Sequence, residues 1–237
     1  MSPLTSALPK HWRHRKPECG FSPPGAECHR PPPLVYPPGL SPKTAAFPYN
    51  GAMEQNFSNH FLIALPSMGD PYFAGALTLV CEHNEHGALG LIVNKPIDLT
   101  LKDLFSQVGL PLTQPHLINR PVMFGGPVQM DRGFVLHQPA GSWQSSLLIT
   151  DDLAFTTSKD ILAAVSEGRG PDKLLLTLGY AGWDAGQLEN ELAQGAWLTV
   201  PADPDIIFDV PSDDRLAAAM KLLGIDPWSL SDEVGHA

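Results

Sequence analysis

Between Leu178 and Glu191 the chain reads Leu-Gly-Tyr-Ala-Gly-Trp-Asp-Ala-Gly-Gln-Leu-Glu-Asn-Glu, its densest set of groups able to grip a ligand. Glycines ahead of a helix let backbone N–H groups converge on an anion. Here no Lys-Ser/Thr follows them as in a phosphate loop, and Asp184 already occupies the positive end of the expected helix. Tyr180, Gly182, Trp183, Gln187 and Glu189 are therefore candidates for a pocket taking an uncharged or cationic ligand, with Glu189 or Glu191 as its partner. The plainer alternative is a structural Gly-rich turn whose aromatics simply pack.

Other groups invite the same two-sided reading. His137, at the end of Gly133–His137, is placed for general-base work, or is a hydrogen-bonded structural histidine. No Ser or Cys in a recognisable nucleophile elbow accompanies it; Ser142, Ser145 and Ser146 are near only in sequence. Gly125 and Gly126 before Pro127 permit a backbone path that other residues resist, either to line a site or to make a tight turn between strands. Asn94, with Lys95, leaves a strand and either points into a pocket or begins a loop. Cys81, Glu82, His83 and His86 resemble metal ligands. Alternation puts Cys81 and His83 on one face and Glu82 on the other, with His86 in a turn, and no second cluster completes four ligands, apart from isolated His60 and His116. No metal site and no cofactor are expected.

The elements that would carry these groups are short. Apolar runs predict strands at His60–Leu65, Leu77–His83, Ala88–Asn94, Val122–Phe124, Gly133–His137, Ser145–Ile149, Lys173–Leu178, Trp197–Val200 and Ile206–Phe208. Asn84 to Gly87 suits a hairpin of the four-residue-loop kind. Helices are marked by their ends. Thr100 with Asp103 forms a capping-box pattern before Leu101, Leu104, Phe105 and Val108, and Gly109 stops it. Further helices are expected from Thr157 to Gly168, from Asp184 to Gly195, and from about Ser212 to Leu223. Each has one apolar stripe and so lies on a sheet. Strands and helices do not alternate regularly, which favours an α+β fold with a mostly antiparallel, twisted or partly closed sheet and helices outside.

Composition limits the function classes. The chain is 43% hydrophobic, and none of its apolar runs reaches the roughly 18–20 residues of a membrane span. About a dozen of the 25 prolines fall in residues 1–52, including Pro31-Pro32-Pro33, so this leader is expected to be disordered, or to be an over-extended start before Met53. A zinc clip from His11, His14, Cys19, Cys28 and His29 has the wrong spacing. Residues 53–237 are expected to form one domain holding a single cysteine, Cys81, which suits a reducing cytoplasmic compartment. The leader has six Lys/Arg against two Asp/Glu, so of the net −10 the remainder carries −14. Such a body repels phosphate backbones, and direct nucleic-acid binding is not expected. Trp143 and Trp228 are either interface residues or buried ones.

Taken in order, His60–Pro66, Cys81-Glu82-His83-Asn84, Gly87–Pro96, Gly125–Val128, Asp131–His137, Leu178–Glu191, Trp197-Leu198 and Pro201–Asp205 resemble the AlgH/YqgE family from Phe57 onward. The resemblance implies a bacterial cytosolic protein with a bifurcated sheet curled into a pseudo-barrel. It also implies a family of unknown function linked to regulation of alginate production, with no catalytic residues to carry over. Three readings follow: a regulatory protein acting through an unknown protein partner or small ligand; a hydrolase-like enzyme using His137 near Tyr180; and a direct DNA-binding regulator. The second requires His137 and Tyr180 to meet in one cleft.

Overall fold

Short apolar runs bounded by Gly, Asn and Pro set the strands. The computed structural model describes residues 56–64 and 69–225. Its strands are β1 (His60–Ala64), β2 (Leu77–Asn84), β3 (Gly87–Ile92), β4 (Pro96–Thr100), β5 (Pro121–Phe124), β6 (Val128–Gln138), β7 (Ser146–Leu148), β8 (Ala154–Thr156), β9 (Lys173–Asp184) and β10 (Trp197–Pro201). The leader with its zinc-clip candidates, Leu65-Pro66 and Trp228 lie outside the described residues.

These strands form one ten-stranded sheet in the order β10-β1-β2-β3-β9-β6-β8-β7, with β5 joined to β9 and β4 to β5. Its ladders are antiparallel except for β5 against β9. The sheet branches at β9, which pairs with β3 through residues 181–184, with β6 through 173–180, and with β5 at Thr177 and Leu178. It curls into a half-barrel with helices on its faces, an α+β fold as the sequence leads one to expect.

The helices are α1 (Leu101–Gln107), α2 (Pro115–Ile118), α3 (Lys159–Ser166), α4 (Gln187–Ala193), α5 (Pro204–Phe208) and α6 (Arg215–Leu222). Thr100 and Asp103 make the reciprocal bonds of a capping box at the start of α1. Three apolar clusters result. The first is enclosed by the curl, taking Phe61, Leu79, Leu91, Phe134, Phe155 and Tyr180 from the strands and Ile207 and Met220 from α5 and α6. The second packs α1, α2 and α3 on β5, β6 and β9, and the third packs α4 against Leu62, Val80, Trp183 and Trp197. Trp143 is a half-buried member of the second. Arg215, itself buried, ties α6 to the end of β3 by donating to the carbonyls of Val93 and, at 2.9 Å, Val210. Burial lowers its pKa to about 10.

Four expectations are corrected. Ile206–Phe208 belongs to helix α5, because Asp203 caps it by accepting from Asp205 N (2.9 Å) and Pro204 opens it. Asn84 pairs directly with Gly87, so the β2–β3 hairpin has a two-residue turn, Glu85-His86. The Gly-Tyr-Ala-Gly-Trp segment is no turn: β9 runs through it to Asp184, with only Gly179 bent out of the regular strand at φ 75°. Consequently Asp184 ends a strand, and Gly186, at φ 74°, precedes α4 without a side-chain cap.

Candidate functional site

The connection from β5 to β6 fixes the centre of the molecule. At Thr177 and Leu178 strand β9 is paired with β5 and β6 together, so these lie on its opposite edges. The chain from Phe124 to Val128 must therefore cross the backbone of β9. It does so through Gly125-Gly126-Pro127, and the sequence supplies glycine where main chain meets main chain. A Cβ on Gly126 would lie 2.2 Å from the Tyr180 carbonyl carbon, and one on Gly125 would lie 2.2 Å from the Gly179 carbonyl oxygen. A Cβ on Gly179 would in turn lie 2.3 Å from the Gly126 carbonyl oxygen. Gly125 N–H donates to Leu178 O (2.7 Å), while Gly125 O accepts from Ile92 N–H (2.9 Å). The double glycine is thus a crossing rather than a simple turn.

Tyr180 leaves this crossing toward the first cluster. It is 2% exposed, its ring centroid is 5.5 Å from that of Phe134, and its hydroxyl has no hydrogen-bond partner among the described residues. Burial pushes the phenol pKa up, against the pull of the Arg132 charge. Arg132 lies 5.8 Å over the same Phe134 ring and donates to Thr157 Oγ1 (3.3 Å). Neither Arg132 nor Thr177, whose buried hydroxyl also lacks a partner among the described residues, stands out in the sequence. The readable signal was an arginine in Asp131-Arg132-Gly133 within an acidic chain.

His137 lies elsewhere. Along β6, Phe134 and Leu136 belong to the first cluster and Val135 to the second, so alternation turns His137 to the second. Its ring is edge-on to Trp143 at 6.4 Å, on the face away from Tyr180. The hydrolase-like reading needs the two in one cleft, and the sheet separates them. Nδ1–H donates to Pro139 O (2.9 Å), leaving Nε2 to accept from Thr156 Oγ1 (2.9 Å), which is bonded in turn to Ser146 Oγ (2.6 Å). The imidazole is fully buried and both nitrogens are engaged, so the string acts as a polar strut in an apolar wall.

The α4 end of β9 gathers four of the remaining candidates. Trp183 Nε1–H donates to Glu191 (2.9 Å), as does Trp197 Nε1–H (2.9 Å), and Gln187 Nε2–H donates to its other oxygen (2.9 Å). One carboxylate thus satisfies two buried indoles. Glu189 accepts from His83 Nε2–H (3.0 Å), while His83 Nδ1 accepts from Phe57 N–H (3.1 Å). Gly182 sits in the ladder opposite Leu89. Asn94 is held by main chain: it accepts from Leu77 N–H (2.7 Å) and donates to Gly75 O (2.9 Å), pinning the approach to β2.

The register of β2 against β3 shifts at Cys81, a bulge that breaks simple alternation. Cys81 joins the first cluster, whereas His83 lies opposite Ala88 of the third, so the two do not share a face as alternation alone suggests. Among the described residues no group of His, Cys, Asp and Glu is placed to hold a metal ion.

The nine candidates therefore fall into four places: Gly125, Gly126 and Tyr180 at the crossing; Gly182, Trp183, Gln187 and Glu189 at α4; and His137 and Asn94 each alone. Known proteins share this framework. The AlgH-like family model matches residues 61–228. A UPF0301 protein of Chromobacterium violaceum is 62% identical over 182 residues, 77% of this chain and 98% of that one. Another, from Nitrosospira multiformis, is 58% identical over the same shares. The solution structure of AlgH from Pseudomonas aeruginosa is 47% identical, covering 80% of this chain and 100% of that one with a TM-score of 0.64. A crystal structure from Corynebacterium diphtheriae, 22% identical with a TM-score of 0.56 over 70% of this chain and 87% of that one, shares the fold alone.

Proposed function

The chain belongs to the AlgH-like family, and from that premise we propose that it is a cytoplasmic binding protein acting through a small ligand or a protein partner, with any effect on transcription indirect. The observation that carries this reading is the separation of His137 from Tyr180. The imidazole is spent on Pro139 and Thr156 on one face, while the unpartnered phenol lies on the other. A general base needs a reacting group within hydrogen-bond reach, whereas a buried hydroxyl without a partner suits recognition. The charge of −14 beyond the leader supports an indirect route to any promoter.

The test uses the full chain. It is screened by thermal shift against nucleotides and central metabolites, and in parallel it is assayed for hydrolysis of p-nitrophenyl esters and for retention of labelled duplex DNA. A ligand well above its dissociation constant stabilises by about 2–4 kcal/mol, which is readily seen. The expected pattern is stabilisation by a ligand, with ester hydrolysis at the buffer rate and no DNA retention at about 50 mM salt. Hydrolysis that disappears in His137→Gln, or DNA retention that collapses by about 200 mM salt, would overturn the reading.

A further inference from the structure

Strand β6 leaves its partner beside Tyr180. Val128 is paired with Tyr180 and Gly133 with Leu178, so Gln129 to Arg132 intervene on β6 where Gly179 alone intervenes on β9. The excursion carries an exposed Met130 and a Gln129 held at φ 48°, a region that side chains rarely adopt. Bulges of this kind redirect side chains and part a sheet locally.

Arg132 is the side chain redirected. It folds back over Phe134, so one aromatic ring is flanked by a guanidinium at 5.8 Å and by the Tyr180 ring at 5.5 Å. Among the described residues its terminal nitrogens reach only neutral oxygens, Thr157 Oγ1 (3.3 Å) and Gln129 Oε1 (3.5 Å), and its buried Nε–H has no acceptor. Among the described residues no carboxylate lies within ion-pair distance of it, in a chain whose acidic groups far outnumber its basic ones. Tyr180 adds a second buried donor with nothing to receive it.

Two buried donors without partners and a half-buried guanidinium without an ion pair among the described residues, beside aromatic rings, suit one kind of complement. It must supply acceptor oxygens and a single negative charge, and it can carry apolar substance. A phosphate dianion would bring more charge than one guanidinium balances, and a neutral carbonyl would leave the cation unpaired. We propose that Arg132 and Tyr180 bind the carboxylate of a small organic monoacid beneath the β6 excursion, with Phe134 and Phe155 against its apolar part. This rests on the ligand-binding reading and names the ligand class.

Thermal shift and titration calorimetry on the full chain test it, with butyrate and benzoate as probes, benzamide as the uncharged match of benzoate, and inorganic phosphate as the competing anion. The acids should raise Tm saturably and benzamide should not. Affinity should fall roughly tenfold or more in Arg132→Gln and in Tyr180→Phe. Without ligand, Tyr180→Phe should melt at or above the wild-type Tm, since it deletes a hydroxyl that nothing bonds. A clearly lower Tm, equal binding in both variants, a benzamide shift matching that of benzoate, no shift by either acid, or a phosphate response without an acid response would each overturn the site. Failure of the acids leaves a macromolecular partner standing, whereas ester hydrolysis or DNA retention strikes at the binding reading itself.

Discussion

The surroundings of the His137 imidazole favour its neutral form. Nδ1–H is fixed on a carbonyl, Nε2 accepts from a hydroxyl, and burial lowers the pKa below its ordinary value near 6.5. The consequence for stability has a definite sign. In the unfolded chain the group binds a proton as pH falls through about 6.5, while in the folded chain it does not until a lower pH. Stability from this residue is therefore complete above about pH 6.5 and declines below it. Urea midpoints measured from pH 8 to pH 5 should be flat and then fall, and His137→Gln should flatten part of the fall. An unchanged slope in the variant would show that His137 takes up its proton without cost. At this scale the sequence reached the kinds of groups but not their partners. That His137 meets Thr156 depends on register between β6 and β8, and that Glu191 serves both Trp183 and Trp197 depends on how α4 lies on β9.

Glycines test the elements. Gly126 and Gly195 both have positive φ, but only Gly126 has main chain where a Cβ would be; nothing lies within 4 Å of the corresponding position at Gly195. Gly195→Ala should cost about 1–2 kcal/mol, the penalty of a left-handed alanine. Gly126→Ala must also part the crossing from β9 and should cost at least about 3 kcal/mol. Denaturant unfolding of the two variants checks this, and equal losses would argue that the crossing yields easily. The double glycine was legible as a place of unusual backbone, yet its partner Gly179 was not, because that pairing joins residues far apart in sequence. Local signals served where caps were local, as at Thr100–Asp103. They misled at Ile206–Phe208, where three apolar residues in a row suit a buried strand or a buried helical turn, and Asp203-Pro204 decides for the helix.

Over the whole molecule the charge is unbalanced. The described ion pairs Lys173–Asp205, Lys173–Asp209 and Arg169–Glu167 lie at the surface, where such pairs add little. The surplus of acidic groups instead repels itself across the fold. Raising salt from about 10 mM to about 150 mM shortens the screening length from about 30 Å to about 8 Å. The melting temperature should rise, by roughly 2–4 °C for each kcal/mol of repulsion removed. A fall would mean that surface ion pairs outweigh the net charge. The overall class was readable because strand and helix patterns came in irregular order. The branch at β9 was not readable from periodicity, since a strand serving three neighbours looks like any long apolar run. It entered through the resemblance to a family with a divided sheet.

The closing of the sheet also orders events in time. β1 lies between β2 and β10, and His60 is paired with Pro201, a partner about 140 residues further along the chain. During synthesis at about 5–20 residues per second, β1 and β2 have both emerged roughly 6–23 s before β10 exists to cover the outer edge of β1. For that interval the nascent chain displays an apolar strand edge, Phe-Leu-Ile-Ala, of the kind that recruits foreign strands. A chain that ends before Trp197 keeps that edge bare and also lacks the α5 and α6 side chains that close the first cluster, so its product is adhesive on two counts.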